Sequence, residues 1–334
     1  MMNTKHNEKW TRSLSAGVLV TALLLAAGCK SVPADKTGSA LPEPVNEVKD
    51  QEIASLEETV SPEEAAAASL AAEERKKQEL AKRAEKNREV SLPEGGTLEL
   101  IWIEPGTYTM GSFASWILSQ SPQIDLKPIV PHDVTLEKEY WLGKYEVTQG
   151  QYEAIMGKNP SHFKGSDLPV DSVSWFDARE FCKKLTAIEK EAGRLPEGYE
   201  YSLPTEAQWE YGCRAGISEK FLLLRDDKDS KEEEDKEVLF GGGFWSDLNS
   251  GNKSHPVGQL RPNVWGLYDM SGNVWEWCLD MYNPKESVKS SFRAYRGGSW
   301  FSSFMNCRCV SRRNNSPGYQ NIDLGFRVAL VPSE

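Results

Sequence analysis

The chain has 334 residues, a formal net charge of −11 and 39% hydrophobic side chains, enough for one large domain plus accessory segments. So acidic a chain offers no basic face to phosphates, which argues against a nucleic-acid partner. Of its eleven tryptophans only Trp10 precedes residue 91. Aromatic side chains supply much of a large core, so the packed part is expected in the C-terminal part.

The N-terminus reads as an export signal. Lys5, Lys9 and Arg12 precede an apolar run of twelve residues from Ala16 to Ala27, short of the about 20 that span a bilayer comfortably. It ends in Leu25-Ala-Ala-Gly-Cys29, which resembles a bacterial lipobox. Its small residues suit a signal peptidase cleft, and the Cys29 thiol would take a diacylglycerol; several acyl chains anchor stably where one is marginal. An uncleaved anchor with an incidental cysteine is the alternative. Residues 1–28 are thus expected as a lipoprotein signal peptide, and membrane contact as made through the lipid. Lys30 after the cysteine suggests outer-membrane sorting, in the envelope of a Gram-negative cell. Residues 29–60, rich in Pro, Ser, Glu and Lys without periodicity, read as a disordered tether.

Ser61-Pro-Glu-Glu carries an N-cap, a first-turn proline and two acids, the signature of a helix start. Residues 62–90 hold seven acidic and seven basic side chains among alanines, with no apolar stripe to force burial. The expectation over 61–90 is a solvated, charged helical stalk of roughly 40 Å. A coiled-coil dimer is the alternative, although the heptad positions lack large aliphatics. From residue 91 to 334 short strands, capped helices and long loops alternate. Leu98–Ile103 reads as a strand and Glu104-Pro-Gly106 as a turn. Thr148-x-x-Gln151 and Thr205-x-x-Gln208 have capping-box form. The first opens a helix with Tyr152, Ile155 and Met156 on one face, ending near Gly157. Ser174-x-x-Asp177 opens another, with Ala178, Phe181, Leu185 and Ile188 as its stripe. The run from Asp226 to Glu237 is too hydrophilic to bury and reads as a solvated insertion, or as a tail for a basic partner.

Few residues suggest chemistry on their own. Gly241-Gly-Gly243 lacks the Lys-Ser/Thr of a phosphate loop. The four histidines, His6, His132, His162 and His255, are scattered, and no Ser-His-Asp set is legible. Asp269 and Glu276 flank a Gly/Asn turn, as a calcium loop or a plain Asx turn would have it. In an oxidising compartment Cys182, Cys213, Cys278, Cys307 and Cys309 should include a disulfide, and their odd number leaves one free or paired between chains.

Ordered blocks then carry a family resemblance: Pro105–Ser112, Lys144-Tyr-Glu-Val-Thr148, Pro169–Trp175, Leu203–Tyr211, Gly266–Trp277, Arg296-Gly-Gly-Ser-Trp300 and Leu324-Gly-Phe-Arg327. Together they resemble the formylglycine-generating enzyme, or sulfatase-modifying factor, family. The resemblance implies an irregular, loop-rich α+β fold over 91–334, distantly like C-type lectins. It implies a structural calcium held by the Asp269 side chain, the carbonyls of Gly272 and Val274, and the Glu276 carboxylate. The family's copper(I) cysteines fall at the second and seventh positions past the aromatic, here Ser302 and Cys307; a hydroxyl is too hard to replace a copper(I) thiolate, so copper is not expected. Aligning Arg308-Cys-x-x-Arg312 with the family needs a gap of about three residues, on either side of Cys307. By the same resemblance Cys213 pairs with Cys309. The partner of Cys182 is replaced by Val328, leaving a buried thiol there and leaving Cys278 and Cys307 free to pair. Trp275, Ser299, Trp300 and Arg312 are candidate groove residues, with Ser299 alternatively satisfying buried backbone. The expectation is a lipid-anchored envelope protein whose domain is a non-catalytic binding or scaffold module for an envelope protein or glycan. The alternatives are a metal-dependent oxidoreductase of the formylglycine-generating type, using Cys307 on a cysteine or thiol substrate, and an envelope component with no small ligand.

Overall fold

The computed structural model describes residues 62–93, 96–112, 129–217, 243–283, 291–303 and 306–333. Cys29, the expected signal and tether, and the acidic run from Asp226 to Glu237 lie outside them. The first element is helix α1, Pro62–Ala84. It stops short of residue 90 because apolar residues then recur with a period of two: Val90 and Leu92 are buried, and strand β1, Arg88–Ser91, pairs antiparallel with β2, Thr97–Ile103. The sheet therefore starts before residue 91. The helix is not solvated along its whole length either. Arg83 in its last turn is 8% exposed, bonds Glu104 at 2.5 Å and lies 4.4 Å from the ring centre of Trp265. Lys86 sits 3.7 Å over Trp102, so stacked cations fasten the helix end to the domain.

The main sheet is five-stranded, in the order β1-β2-β5-β11-β6, with β5 at Tyr140–Gly143, β6 at Tyr199–Ser202 and β11 at Ala329–Pro332. Alternation along β2 sends Leu98, Leu100 and Trp102 into one core and Ile101 and Ile103 into another, as the pleat requires. The first core is covered by helices α2, Gln149–Met156, and α3, Trp175–Glu191. There Phe181 stacks on Tyr152 at 5.8 Å. The second core is covered by α4, Glu206–Arg214, and by Leu267 and Met270. All three of these helices open with reciprocal capping boxes, at Thr148, Ser174 and Thr205.

A second sheet has the order β10-β7-β8-β9: β7 is Trp275–Met281, β8 Arg293–Arg296, β9 Arg312–Asn315 and β10 Leu324–Gly325. Strands β3, Gly106–Met110, and β4, His132–Leu136, form a separate hairpin. Long loops carry the rest of this mixed α+β fold. They are tied across the chain: the Cys213–Cys309 disulfide, with Cα atoms 5.7 Å apart, links positions 96 residues apart, a closure worth about 4–5 kcal/mol by chain entropy. Cys182, Cys278 and Cys307 are buried free thiols. Cys278 and Cys307, left open as a possible pair, are not bonded to each other. Cys278 lies on β7 in the second core with Tyr140 and Trp209, whereas the Cys307 sulfur faces the carbonyls of Ser299 and Ser303 at 3.9 and 3.7 Å.

Candidate functional site

The Gly266–Trp277 segment enters β7 through a loop whose backbone calls for glycine and short polar residues. Gly272 has φ +80°, and a Cβ there would sit 1.9 Å from the Trp245 carbonyl oxygen. Asp269 and Asn273 also take positive φ, 54° and 57°, which short polar side chains tolerate best after glycine. Asn273 donates to Glu146 Oε2 at 2.7 Å, and the Val274 amide donates to Glu146 Oε1 at 2.9 Å. Asp269 Oδ2 accepts from the Gly258 amide at 2.7 Å. Its Oδ1 is buried with no hydrogen-bond partner. Burial pushes the Asp269 carboxyl up to about 6 and that of Glu146 well above the usual range, the latter also through Asp269 and Glu276.

Glu276 is placed otherwise than the calcium expectation has it. Its two oxygens accept from Arg327 Nε and Nη2, both at 2.6 Å, and Trp209 Nε1 adds a third bond at 2.7 Å. The carboxylate is thus satisfied without a cation. Among the described residues no three His, Cys, Asp or Glu side chains converge as a metal site. Asp269 fits a hard cation, through its buried, unpartnered oxygen; any such ion would rest on that carboxylate and on loop carbonyls, with Glu276 held by Arg327.

The oxidase-pair positions lie beyond a tight Gly297-Gly298 turn. A Cβ at Gly298 would come within 2.8 Å of the Cys307 sulfur, so the glycine lets this backbone lie on the thiol. Ser299 Oγ donates to Asp323 Oδ2 at 2.8 Å and lies 2.9 Å from Ser302 Oγ. A hydroxyl has one proton; with that of Ser299 given to Asp323, Ser302 donates to Ser299. The chain continues through Asn321, which donates to Asp323 Oδ1 at 2.6 Å. Burial raises the Cys307 thiol to about 12, so it is protonated at neutral pH. A hydroxyl committed to Ser299 is too hard to replace one of the two soft thiolates that hold copper(I), so the two positions do not fit it and no step through copper follows.

The four candidate groove residues do not form one open surface. Trp275 lies in the first core, edge-on to Tyr295 at 5.3 Å. Ser299 and Trp300 are 0% and 5% exposed. Arg312 Nε and Nη2 bond Glu206 at 2.9 and 2.5 Å, and Nη2 also bonds the Tyr282 carbonyl at 3.0 Å. Arg312 ends a buried series of alternating charges. Glu206 next lies 3.5 Å from Arg296, Arg296 pairs with Glu210, and Glu210 accepts from Arg214 at 2.8 Å.

Residues 85–331 match the family described as the sulfatase-modifying factor enzyme 1-like domain. The chain belongs to that family. It is 35% identical over 203 residues to the chaperone protein LppX of Paenibacillus barcinonensis, a match covering 51% of this chain and 72% of that one. It is 30% identical over 215 residues to the formylglycine-generating enzyme of Mus musculus, covering 59% of this chain but only 53% of the enzyme. Among solved structures, Treponema denticola variable protein 1 superposes with a TM-score of 0.57 at 28% identity, over 73% of this chain and 98% of that one. Within the sulfatase-modifying factor fold, the sequence pointed to Asp269, Ser302 and Cys307. It missed Glu146, Arg327, Asp323 and the Arg296 series. Glu146 and Arg327 sit inside quoted blocks, Lys144–Thr148 and Leu324–Arg327, so a charged residue amid apolar ones was their available signal.

Proposed function

We propose that this member of the family works as a non-catalytic binding or scaffold module, anchored in the bacterial envelope by lipid at Cys29. The observation that carries the reading is the hydrogen bond of Ser302 to Ser299, which places a committed hydroxyl where the oxidase has its first thiolate. The similarity to a protein described as a chaperone favours a polypeptide over a glycan as the module's ligand. Incubation of the purified protein with copper(I), a reductant and a Cys-x-Pro-x-Arg peptide should leave the peptide mass unchanged. Aldehyde formation would contradict the reading directly. Cys29→Ala should leave the precursor unprocessed or release the protein from the membrane fraction; unchanged lipid labelling and fractionation would sink the anchor.

We further propose a structural calcium at the Asp269 loop. When bound, the ion supplies positive charge to a carboxylate buried beside two others, Glu146 and Glu276, with Arg327 among them. A ligand that binds only the folded state stabilises it by about 2.7 kcal/mol at a hundredfold excess over Kd. Chelation should therefore lower the melting temperature of the wild type and leave Asp269→Ala unaffected. A wild-type melting curve indifferent to both chelator and added calcium would reduce the loop to a turn.

A further inference from the structure

Helix α1 ends against the domain and leaves two leucines uncovered. Leu70 is 60% and Leu80 39% exposed. The ten-residue step between them is close to three helical turns, so the two share one side of the helix. The helix end is fixed, because Arg83 bonds Glu104 and lies over Trp265 while Lys86 lies over Trp102. Beside this anchored end a cavity of about 160 Å³ opens between helix and domain. It is lined by Glu79, Leu80, Arg83, Ala215, Val264 and Trp265. Four of these present apolar surface, and Val264 is 45% exposed. A space of this size takes a ring or one branched aliphatic side chain.

The charge pattern along the helix selects what can lie there. Residues 62–74 hold four acidic side chains and no basic one, whereas residues 75–88 hold seven basic and two acidic. A second copy laid parallel would set like charges side by side along the whole helix. Laid antiparallel, each acidic half meets a basic half, and such flanking charges are what orient paired helices. An anionic membrane would attract the basic half alone and leave both Leu70 and the cavity unfilled.

Register follows from the leucines. Arg75 lies midway between them in the sequence. An antiparallel pair with its two-fold axis at Arg75 therefore sets Leu70 of each copy opposite Leu80 of the other, at the cavity. A seam of α1 alone lacks large aliphatics, and the domain wall at Val264 and Trp265 supplies the apolar surface that it misses. We propose that this protein self-associates through antiparallel α1 helices, with Leu70 of each copy seated in the cavity between Leu80, Val264 and Trp265 of the other. The contact is isologous, so one set of residues serves both halves. It uses neither the Asp269 loop nor the Ser299–Ser302 turn, and it stands apart from the binding-module reading.

The test is sedimentation velocity and short bismaleimide crosslinking of the full chain in detergent. Wild type should sediment as a dimer whose dissociation constant rises as salt is added. Leu70→Asp should weaken the dimer at least about tenfold. Leu70→Cys and Leu80→Cys proteins should crosslink when mixed. Neither should crosslink alone, because like positions stand about 15 Å apart across the antiparallel pair. Wild type, whose Cys182, Cys278 and Cys307 are buried, is the control. In a parallel pair Leu70→Cys would link to itself. That product in place of the mixed one, a Leu70→Asp protein that pairs like wild type, or a wild type that stays monomeric would overturn the assignment. A monomer that binds anionic vesicles at low salt would also overturn it, and would assign the basic half to a lipid surface.

Discussion

One fully buried guanidinium holds the domain together. Arg327 lies between β10 and β11, and four of its donor bonds reach different parts of the chain. Two go to Glu276 on β7 in the second sheet, one to the Gly143 carbonyl at the end of β5 in the first, and one to the Tyr268 carbonyl in the Asp269 loop. Trp209 of α4 closes the group from the other side through Glu276. A charge with no access to water is stable only when fully paired, and removing one partner of such a pair typically costs about 3–5 kcal/mol. Sheet, loop and helix positions are therefore coupled through one side chain.

The same logic explains why so loop-rich a chain keeps a defined shape. Backbone ladders fix only the strands, and the segments between them must satisfy their polar groups by other means. Glu146 takes the loop at Asn273 and Val274, Arg312 takes Glu206, and the disulfide joins α4 to the segment before β9. The family's oxidase position is part of the same scheme of polar contacts. The hydroxyls of Ser302 and Ser299 run into Asp323 as part of the same internal network. That is the observation on which the proposed non-catalytic role rests.

The elements most legible in the sequence are those set by local chemistry. Thr148, Ser174 and Thr205 each announce a helix start, because a capping box is complete within four residues. The Ala178, Phe181 and Leu185 stripe announces which face of α3 is buried. The end of α1 was less legible, since residues 84–90 keep helix-forming composition and are drawn into a strand by pairing with β2. Arg312 looked like a free groove cation because its carboxylate partner, Glu206, is 106 positions away. Whether Cys278 and Cys307 pair was open in the sequence, and only the placement of β7 apart from the Gly297-Gly298 turn separates them. Long-range ion pairing leaves no periodic signal, which is why the positions of highest structural consequence here were the least readable.

Arg327 and Glu276 act as one unit joining the two sheets, and a double-mutant cycle tests this most directly. Denaturant unfolding of Arg327→Met, Glu276→Leu and the double variant would be compared with wild type. Each single variant should lose about 3–5 kcal/mol, because it strands a buried charge, and the double variant should lose clearly less than the sum of the two. Single losses below about 1 kcal/mol, or strictly additive losses, would show that the pair does not couple the sheets.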